Sequence, residues 1–264
     1  MKRWVPFLKS EPLVSVVRLS GVIAATGRGM NDAAIGPVLE KAFARRKPSA
    51  VALVINSPGG SPVQSSLIGA RIRRLSEEKK VPVYAFVEDV AASGGYWIAS
   101  AADEIWVDPT SIVGSIGVIS SQFGLNEFIG RHGIERRVYT AGKSKSMLDP
   151  FQAEKASDVK RLKELLGDMH EVFKDQITTR RGSKLTTDKD LFTGEFWIGK
   201  RGVDLGLADG IGHMVPKMKE VFGKKVRFQN YGPRKGLLSR FGARMVNDAF
   251  DGLQERAEFS RFGL

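Results

Sequence analysis

The sequence has no cysteine among its 264 residues, which excludes disulfide bonds, a thiol nucleophile and thiolate metal ligands. Histidine is scarce: His132, His170 and His213 lie far apart, without the spacing of metal ligands, so we predict no metal and no other cofactor. Long apolar runs are also missing. Charged residues such as Lys9 and Arg18 interrupt the N-terminal segment, and no later stretch approaches the roughly 20 apolar residues of a membrane-spanning helix. We therefore expect a soluble, cytoplasmic protein.

Acidic side chains are outnumbered by basic ones. Lysine and arginine total 41 against 29 aspartates and glutamates, which gives a net charge of +12. The excess is scattered in short clusters such as Arg136-Arg137 and Arg180-Arg181, without the interleaved aromatic residues of a nucleic-acid-binding module. We interpret it as a solvated basic surface and predict no nucleic-acid partner. Peripheral contact with an anionic membrane surface stays open as an alternative.

The chain alternates apolar strands with amphipathic helices. Residues 51–55 and 83–87 are short apolar runs typical of strands buried on both faces, and each is followed by a glycine-rich turn and a helical pattern. A repeated strand, turn and helix predicts an α/β fold with parallel neighbouring strands.

Asn31 or Asp32 can cap a helix over 33–45. Two longer helices are also prominent in the pattern. Ser61 and Pro62 have the residue types of a helix start, and we predict a helix from there to Lys80. Its inner face should carry Val63, Leu67, Ile68, Ile72 and Leu75. A longer amphipathic helix over 152–181 carries apolar residues that we expect to pack in the core or against another subunit. We interpret His170, which lies on this helix, as structural rather than catalytic.

The region before the longer helix is less regular. We predict a short strand over 137–139 and a polar, lysine-rich loop over 141–150. The domain organisation that we expect is an N-terminal arm over 1–12, a main domain over 13–230 and a basic amphipathic extension over 231–264. The extension has one apolar helical face, formed by Leu238, Phe241, Met245, Ala249 and Leu253.

Ser93 lies where the strand over 83–87 gives way to a helix. Glu88 and Asp89 end the apolar run, and the small residues Ala91-Ala92-Ser93-Gly94-Gly95 follow. At such a junction, free backbone N–H groups and the positive end of the helix dipole can stabilise an oxyanion beside the serine hydroxyl. Ser93 is therefore our candidate nucleophile. The alternative is a serine that only caps the helix.

Three motifs follow one another along the chain. They are Asn56-Ser57-Pro58-Gly59-Gly60, then Ala91-Ala92-Ser93-Gly94-Gly95-Tyr96-Trp97, then Gly142-Lys143-Ser144-Lys145-Ser146 with Pro150-Phe151. Their combination closely resembles the signal peptide peptidase A family of serine proteases. The stretches over 114–118 and 206–212 are also similar to that family, so the resemblance covers roughly residues 13–225.

The resemblance implies a crotonase-like α/β fold, which the caseinolytic protease shares, built of stacked β-β-α units in a single domain with a C-terminal helical extension. It also implies a serine/lysine dyad. Ser93 matches the nucleophile, Lys145 the general base and Ser115 a serine that orients the lysine, while Gly60 and Gly94 would donate the oxyanion-hole amides.

The dyad is chemically coherent, because burial lowers the pKa of a lysine and a neutral amine can take the proton of a serine hydroxyl. Lys143 is a competing base close to Lys145 in the sequence. A triad of Ser93 with His132 or His213 is a further alternative, although neither histidine has a matching motif.

These observations predict a serine endopeptidase that acts on unfolded or apolar peptides, such as signal-peptide remnants, bound as an added strand. The alternatives within the fold are a crotonase-type acyl-CoA enzyme and a non-catalytic basic scaffold that binds membranes or peptides. Family members of double length carry two repeats, whereas this sequence has one. We therefore expect a homo-oligomeric ring in which Lys145 of one subunit serves Ser93 of its neighbour.

Overall fold

The computed structural model describes residues 11–25, 29–232 and 256–264. The predicted N-terminal arm, apart from residues 11 and 12, and the predicted apolar helical face over 238–253 lie outside these residues. Within the described ranges, none of the helices combines the length and the apolar character that crossing a bilayer requires.

One sheet organises the described residues. Its strands are β1 (Leu13–Ser20), β2 (Ala50–Ser57), β3 (Val83–Ala92), β4 (Glu104–Val107), β5 (Ile112–Gly114), β6 (Phe196–Ile198), β7 (Gly210–Ile211) and β8 (Arg227–Tyr231). The order across the sheet is β6-β5-β3-β2-β1-β8, and β4 pairs with β3 and β7 beside this path. All pairs are parallel except β5 with β6. The prediction of an α/β fold with parallel strands is thereby confirmed.

Helices cover both faces of the sheet. They are α1 (Asp32–Ala44), α2 (Pro62–Lys79), α3 (Gly94–Ser100), α4 (Asn126–Arg131), α5 (Ala156–Arg181), α6 (Gly199–Asp204) and α7 (Met214–Phe222). The caps that the sequence predicts are present: the Asn31 side chain accepts a hydrogen bond from the Ala34 amide, and the Ser61 side chain accepts one from the Gln64 amide.

The central strands are buried on both sides, as their continuous apolar runs predict. Along β2, Val51, Leu53 and Ile55 face a large core shared with α1, α2 and α3, whereas the alternate residues, such as Ala52, face a smaller core that contains Met218 of α7. This alternation follows from the two-residue period of a strand. The sheet is therefore a rigid platform, and the β3–α3 connection is fixed at its edge.

Strand β3 changes partners along its length. Its first half, Tyr84–Val87, pairs with β4, and its second half, Val90–Ala92, pairs with β5. Glu88 and Asp89 lie at the change, where the sequence predicted that the apolar run would end. The half that leads to Ser93 therefore has its own neighbour, which continues beyond Gly114 into the segment beside Ser93.

Two local predictions are wrong. Residues 137–139 form no strand and are exposed. On the predicted inner face of α2, Ile68, Ile72 and Leu75 are buried as expected, but Val63 and Leu67 are 65% and 45% exposed. The buried face is instead turned towards the small residues Ser65 and Gly69, because α3 packs there: an added Cβ at Gly69 would lie 3.2 Å from the Trp97 ring.

Candidate active site

Ser93 occupies the single residue between β3 and α3. Its backbone has φ 50° and ψ −120°, in the left-handed half of φ space that costs a non-glycine residue on the order of 1–3 kcal/mol and is found most often at functional sites. Two hydrogen bonds hold it there: the Ser93 amide donates to the Gly114 carbonyl at 2.8 Å, and the Trp97 amide donates to the Ser93 carbonyl at 2.9 Å. The conformation is thus imposed by β5 on one side and α3 on the other.

The Ser93 hydroxyl does not act as a helix cap. Although Ser93 stands at the N-cap position of α3, its side chain makes no capping hydrogen bond. Capping serines normally have an extended backbone and accept a bond from an amide of the first turn, as Ser61 does for α2. The capping alternative is therefore wrong, and Ser93 as nucleophile stays a prediction.

Glycines bring three backbone segments into contact at Ser93. An added Cβ at Gly94 would lie 2.2 Å from the Ser65 hydroxyl oxygen, and one at Gly60, where φ is +136°, would lie 2.0 Å from the Ile23 carbonyl oxygen. No side chain fits at either position. The Gly94 amide belongs to the first turn of α3, where amides have no acceptor within the helix, so it is available to an anionic oxygen.

Ser93, Gly60 and Gly94 line one cavity. Its walls come from α2, α3, α5 and the segment that follows β5, and they are predominantly apolar. The larger side chains around it are Pro62, Trp97, Val118, Ile119, Met169 and Phe173. Trp97 and Phe173 stack with their ring centroids 4.9 Å apart, which joins α3 to α5. A small apolar side chain can therefore be enclosed next to the candidate nucleophile and its amides.

Ser115 follows the carbonyl that holds Ser93. It has φ 53°, is partly buried, and donates its amide to the Glu195 carbonyl at 2.7 Å. The next residue, Ile116, is fully buried, and its carbonyl oxygen lies 3.1 Å from Nε2 of His170 on α5. The sequence placed His170 on this helix as a structural residue; its contact with the segment beside Ser93 had no signal in the sequence.

The two candidate bases lie outside this cavity within one chain. Lys145 is exposed on the turn over 142–147, where its amide donates to the Gly142 carbonyl at 3.2 Å. Lys143 is exposed on the same turn. Neither lysine is among the residues that line the Ser93 cavity. One chain thus brings together the proposed nucleophile and both oxyanion glycines, but not the proposed base.

The histidines of the alternative triad are engaged elsewhere. Nδ1 of His132 lies 2.9 Å from the Phe128 carbonyl on its own helix, and Nε2 of His213 lies 2.9 Å from the Asp108 carboxylate. Hydrogen bonds from the hydroxyl and amide of Thr110, together with His213, lower the pKa of Asp108 to about 2. Neither histidine lines the cavity at Ser93.

The sequence model described as peptidase family S49 matches residues 76–222, more than half of the chain, and this range includes both Ser93 and Lys145. The chain belongs to peptidase family S49. Together with the parallel sheet described above, this confirms the predicted α/β fold class, and it confirms the prediction of a peptidase at the level of the family.

Several curated relatives agree with the S49 assignment. The chain is 30% identical to the probable protease SohB of Haemophilus influenzae over 76% of its own length, and 28% identical to the putative signal peptide peptidase SppA of Enterococcus faecium over 75%. It spans 56% and 60% of those two proteins. The chain therefore represents little more than half of each.

A higher identity, 46% over the whole chain, relates it to a Brucella melitensis protein named Na(+)/H(+) antiporter NhaA. The match covers only 39% of that protein, so the name was given to a chain much longer than the matched part.

Proposed function

We propose that this S49 protein is a serine endopeptidase with Ser93 as nucleophile and Lys145 as general base. The observation that carries the proposal is the Ser93 junction itself: an uncapped serine in a strained backbone conformation, beside a free first-turn amide, at the mouth of an apolar cavity. Strain of this kind persists only where the surrounding structure enforces it, and it is concentrated at reactive groups.

The reaction that these groups support is acyl transfer to serine. The Ser93 oxygen attacks the peptide carbonyl carbon while its proton passes to the neutral amine of Lys145. The amides of Gly60 and Gly94 bind the resulting oxyanion. When the C–N bond breaks, the lysine ammonium returns the proton to the leaving amine. Water then attacks the acyl-enzyme and gives its proton to the lysine. When the ester bond breaks, the lysine ammonium returns that proton to the Ser93 oxygen, and the acid is released.

A long exposed segment, which runs from the cavity wall after β5 into the first part of α5, supports a base supplied by a second copy. From residue 117 to residue 172 no residue is buried. Apolar side chains lie open along it, with Phe123 84% and Tyr139 90% exposed. A segment this long without buried residues gains little stability alone, and exposed apolar surface of this kind marks an interface. We propose that this exposed segment packs on a neighbouring subunit and places Lys145 at that subunit's Ser93.

The composition of the cavity supports apolar peptides as substrates. Every residue around it is glycine, serine, proline or an apolar side chain. A carboxylate base, which the acyl-CoA alternative expects beside the glycine motifs, is not among the residues that line it. Signal-peptide remnants, which are rich in apolar residues, are the substrate class that we propose.

The test combines covalent labelling with subunit mixing. A fluorophosphonate should label the wild-type protein at Ser93, and both Ser93→Ala and Lys145→Ala should abolish labelling, whereas Lys143→Ala should retain it. Mixed oligomers of the two inactive variants should recover labelling and cleavage of a casein-derived fluorogenic peptide, because Lys145 of one chain can serve Ser93 of the other. A wild-type protein that is not labelled contradicts the peptidase, and inactive mixtures with labelled wild type contradict the shared dyad.

A further inference from the structure

We propose that His170 is a positioning residue that fixes one wall of the Ser93 cavity and thereby sets which side chains the cavity accepts. This inference rests on the proposed function, since it concerns how a peptide binds beside Ser93. His170 does not line the cavity; it acts through the segment over 117–119 that does.

The contact joins two walls of the same cavity. On α5, Met169 and Phe173 face the cavity, and His170 lies between them in sequence. The facing wall is the segment over 117–119, whose preceding residue, Ile116, receives the hydrogen bond from His170 at 3.1 Å. One histidine thus ties the helix that forms one side to the backbone that forms the other.

The hydrogen bond from His170 is made to Ile116, the last residue of this wall that is buried in the core. Ser115 is held by the Glu195 carbonyl and Ile116 is buried in the core, but the chain has no strand partner over 115–125 and no buried residue from 117 to 172. Because a carbonyl oxygen only accepts, Nε2 of His170 carries the hydrogen. Without this hydrogen bond, the segment over 117–119 would be held only through Ser115 and the buried Ile116 side chain that precede it.

The proposed nucleophile, Ser93, is held by hydrogen bonds that do not involve His170. The Ser93 amide bonds to the Gly114 carbonyl, and the Trp97 amide bonds to the Ser93 carbonyl. Loss of the His170 bond should therefore widen or loosen the cavity without changing the backbone at Ser93. The expected signature is weaker binding of peptides that use the cavity, with the reactivity of Ser93 retained.

The experiment uses two fluorogenic peptides that differ only in the residue before the cleaved bond, leucine or glycine. In His170→Phe, which keeps a ring but has no donor, KM for the leucine peptide should rise about 2- to 10-fold, the range expected for one neutral hydrogen bond. The value of kcat should change little, KM for the glycine peptide should be unaffected, and the rate of fluorophosphonate labelling at Ser93 should equal that of wild type.

Two further variants separate positioning from general stability. His170→Gln retains an N–H donor and should restore the wild-type KM. His213→Phe, which removes an exposed histidine bonded to Asp108, is the matched control and should leave KM unchanged. Hydrogen exchange of the backbone over 115–119 should speed up in His170→Phe and return to the wild-type rate in His170→Gln, which gives a readout independent of turnover.

The outcomes distinguish the two proposals. Wild-type protein that is labelled at Ser93, with unchanged KM and unchanged exchange in His170→Phe, overturns the role of His170 and leaves the peptidase standing. Failure of His170→Gln to restore either quantity also overturns it. Wild-type protein that is never labelled overturns the peptidase first, and the specificity role with it.

Discussion

Ser93 is held in its conformation by how closely its neighbours approach. Gly94 lies so near Ser65 of α2 that a methyl group cannot be added without displacing the hydroxyl, which is itself bonded to the Ser61 carbonyl at 2.8 Å. Close approach of this kind places the first amide of α3 against the cavity. The serine and its amide are therefore positioned by α2 as much as by the β3–α3 turn.

Gly94→Ala should reduce labelling of Ser93 by about tenfold or more, because overpacking of a tight site costs about 1–3 kcal/mol and shifts its backbone. The double variant Gly94→Ala with Ser65→Ala removes the oxygen that the new methyl group would meet at 2.2 Å. It should recover much of the lost labelling rate. Equal labelling of the single and double variants would show that the contact with Ser65 does not position α3.

At the scale of elements, buried polar groups connect α3 to the segment that precedes β7. The Tyr96 hydroxyl donates to the Leu207 carbonyl at 2.8 Å, and burial raises the pKa of Tyr96. Nearby, Arg181 at the end of α5 is 4% exposed and bonds to Asp209 at 2.7 Å. Burial alone would raise the pKa of Asp209, but hydrogen bonds from Arg181, Lys184 and the Ile105 amide outweigh it and lower the pKa.

Arg181→Met should lower the free energy of unfolding by about 3 kcal/mol at pH 7, because it leaves a buried carboxylate short of its partner. A carboxyl with a depressed pKa stabilises the fold above its unfolded pKa of about 3.9, and this contribution disappears as the pH falls through the folded pKa. The deficit of the variant should therefore narrow as the pH falls towards and below 4, because Asp209 without Arg181 takes up its proton at a higher pH than in the folded wild type, where its pKa is lowered.

Urea denaturation between pH 3.5 and pH 7 measures this difference. The matched control is Arg201→Met, which breaks a pair with Asp204 in which both side chains are more than half exposed. That change should cost less than about 1 kcal/mol at any pH. A deficit for Arg181→Met that is the same at every pH would exclude the buried pair as its cause.

Elements whose evidence is local could be predicted from the sequence. The runs over 51–55 and 83–87 identified two central strands, and the residue types at Asn31 and Ser61 identified two helix starts. The inner face of α2 was predicted correctly for Ile68, Ile72 and Leu75 but not for Val63 and Leu67. The contact of α2 with α3 also uses small residues, which apolar spacing does not register. Spacing along α5 found an apolar stripe but not its neighbour: Phe173 and Ile177 are buried, whereas Met169 and Val172 remain exposed.

At the scale of the whole molecule, the proposed mechanism requires a second subunit to bring Lys145 to Ser93. The resemblance of the sequence motifs to the family predicted that Lys145 acts on Ser93, but within one chain the lysine lies outside the Ser93 cavity. A sequence specifies which residues are present; the distance between two of them on different subunits depends on how copies pack. The pairing of these residues, the subunit number and the predicted cytoplasmic location therefore remain predictions.

Phe123→Glu should weaken the assembly, because it replaces an apolar ring that is 84% exposed in the isolated chain with a charge that would be buried in the proposed interface. Size-exclusion chromatography with light scattering should show wild-type protein as an oligomer of the 28.9 kDa chain and the variant shifted towards that mass. Labelling of Ser93 should fall in parallel. Val215→Glu, at a partly exposed position on α7, is the control and should change neither property. A wild-type monomer would contradict the interface.

The edge of the sheet formed by β1 and β8 has a consequence for how the protein is made. Strand β8 pairs with β1 from Leu13 to Val17, although more than two hundred residues separate the two strands along the chain. During translation, β1 therefore emerges early and keeps an unpaired edge until nearly the whole domain has left the ribosome. Contacts this distant in sequence slow folding and expose nascent chains to aggregation, so we expect the growing chain to be most prone to aggregation before β8 has been made.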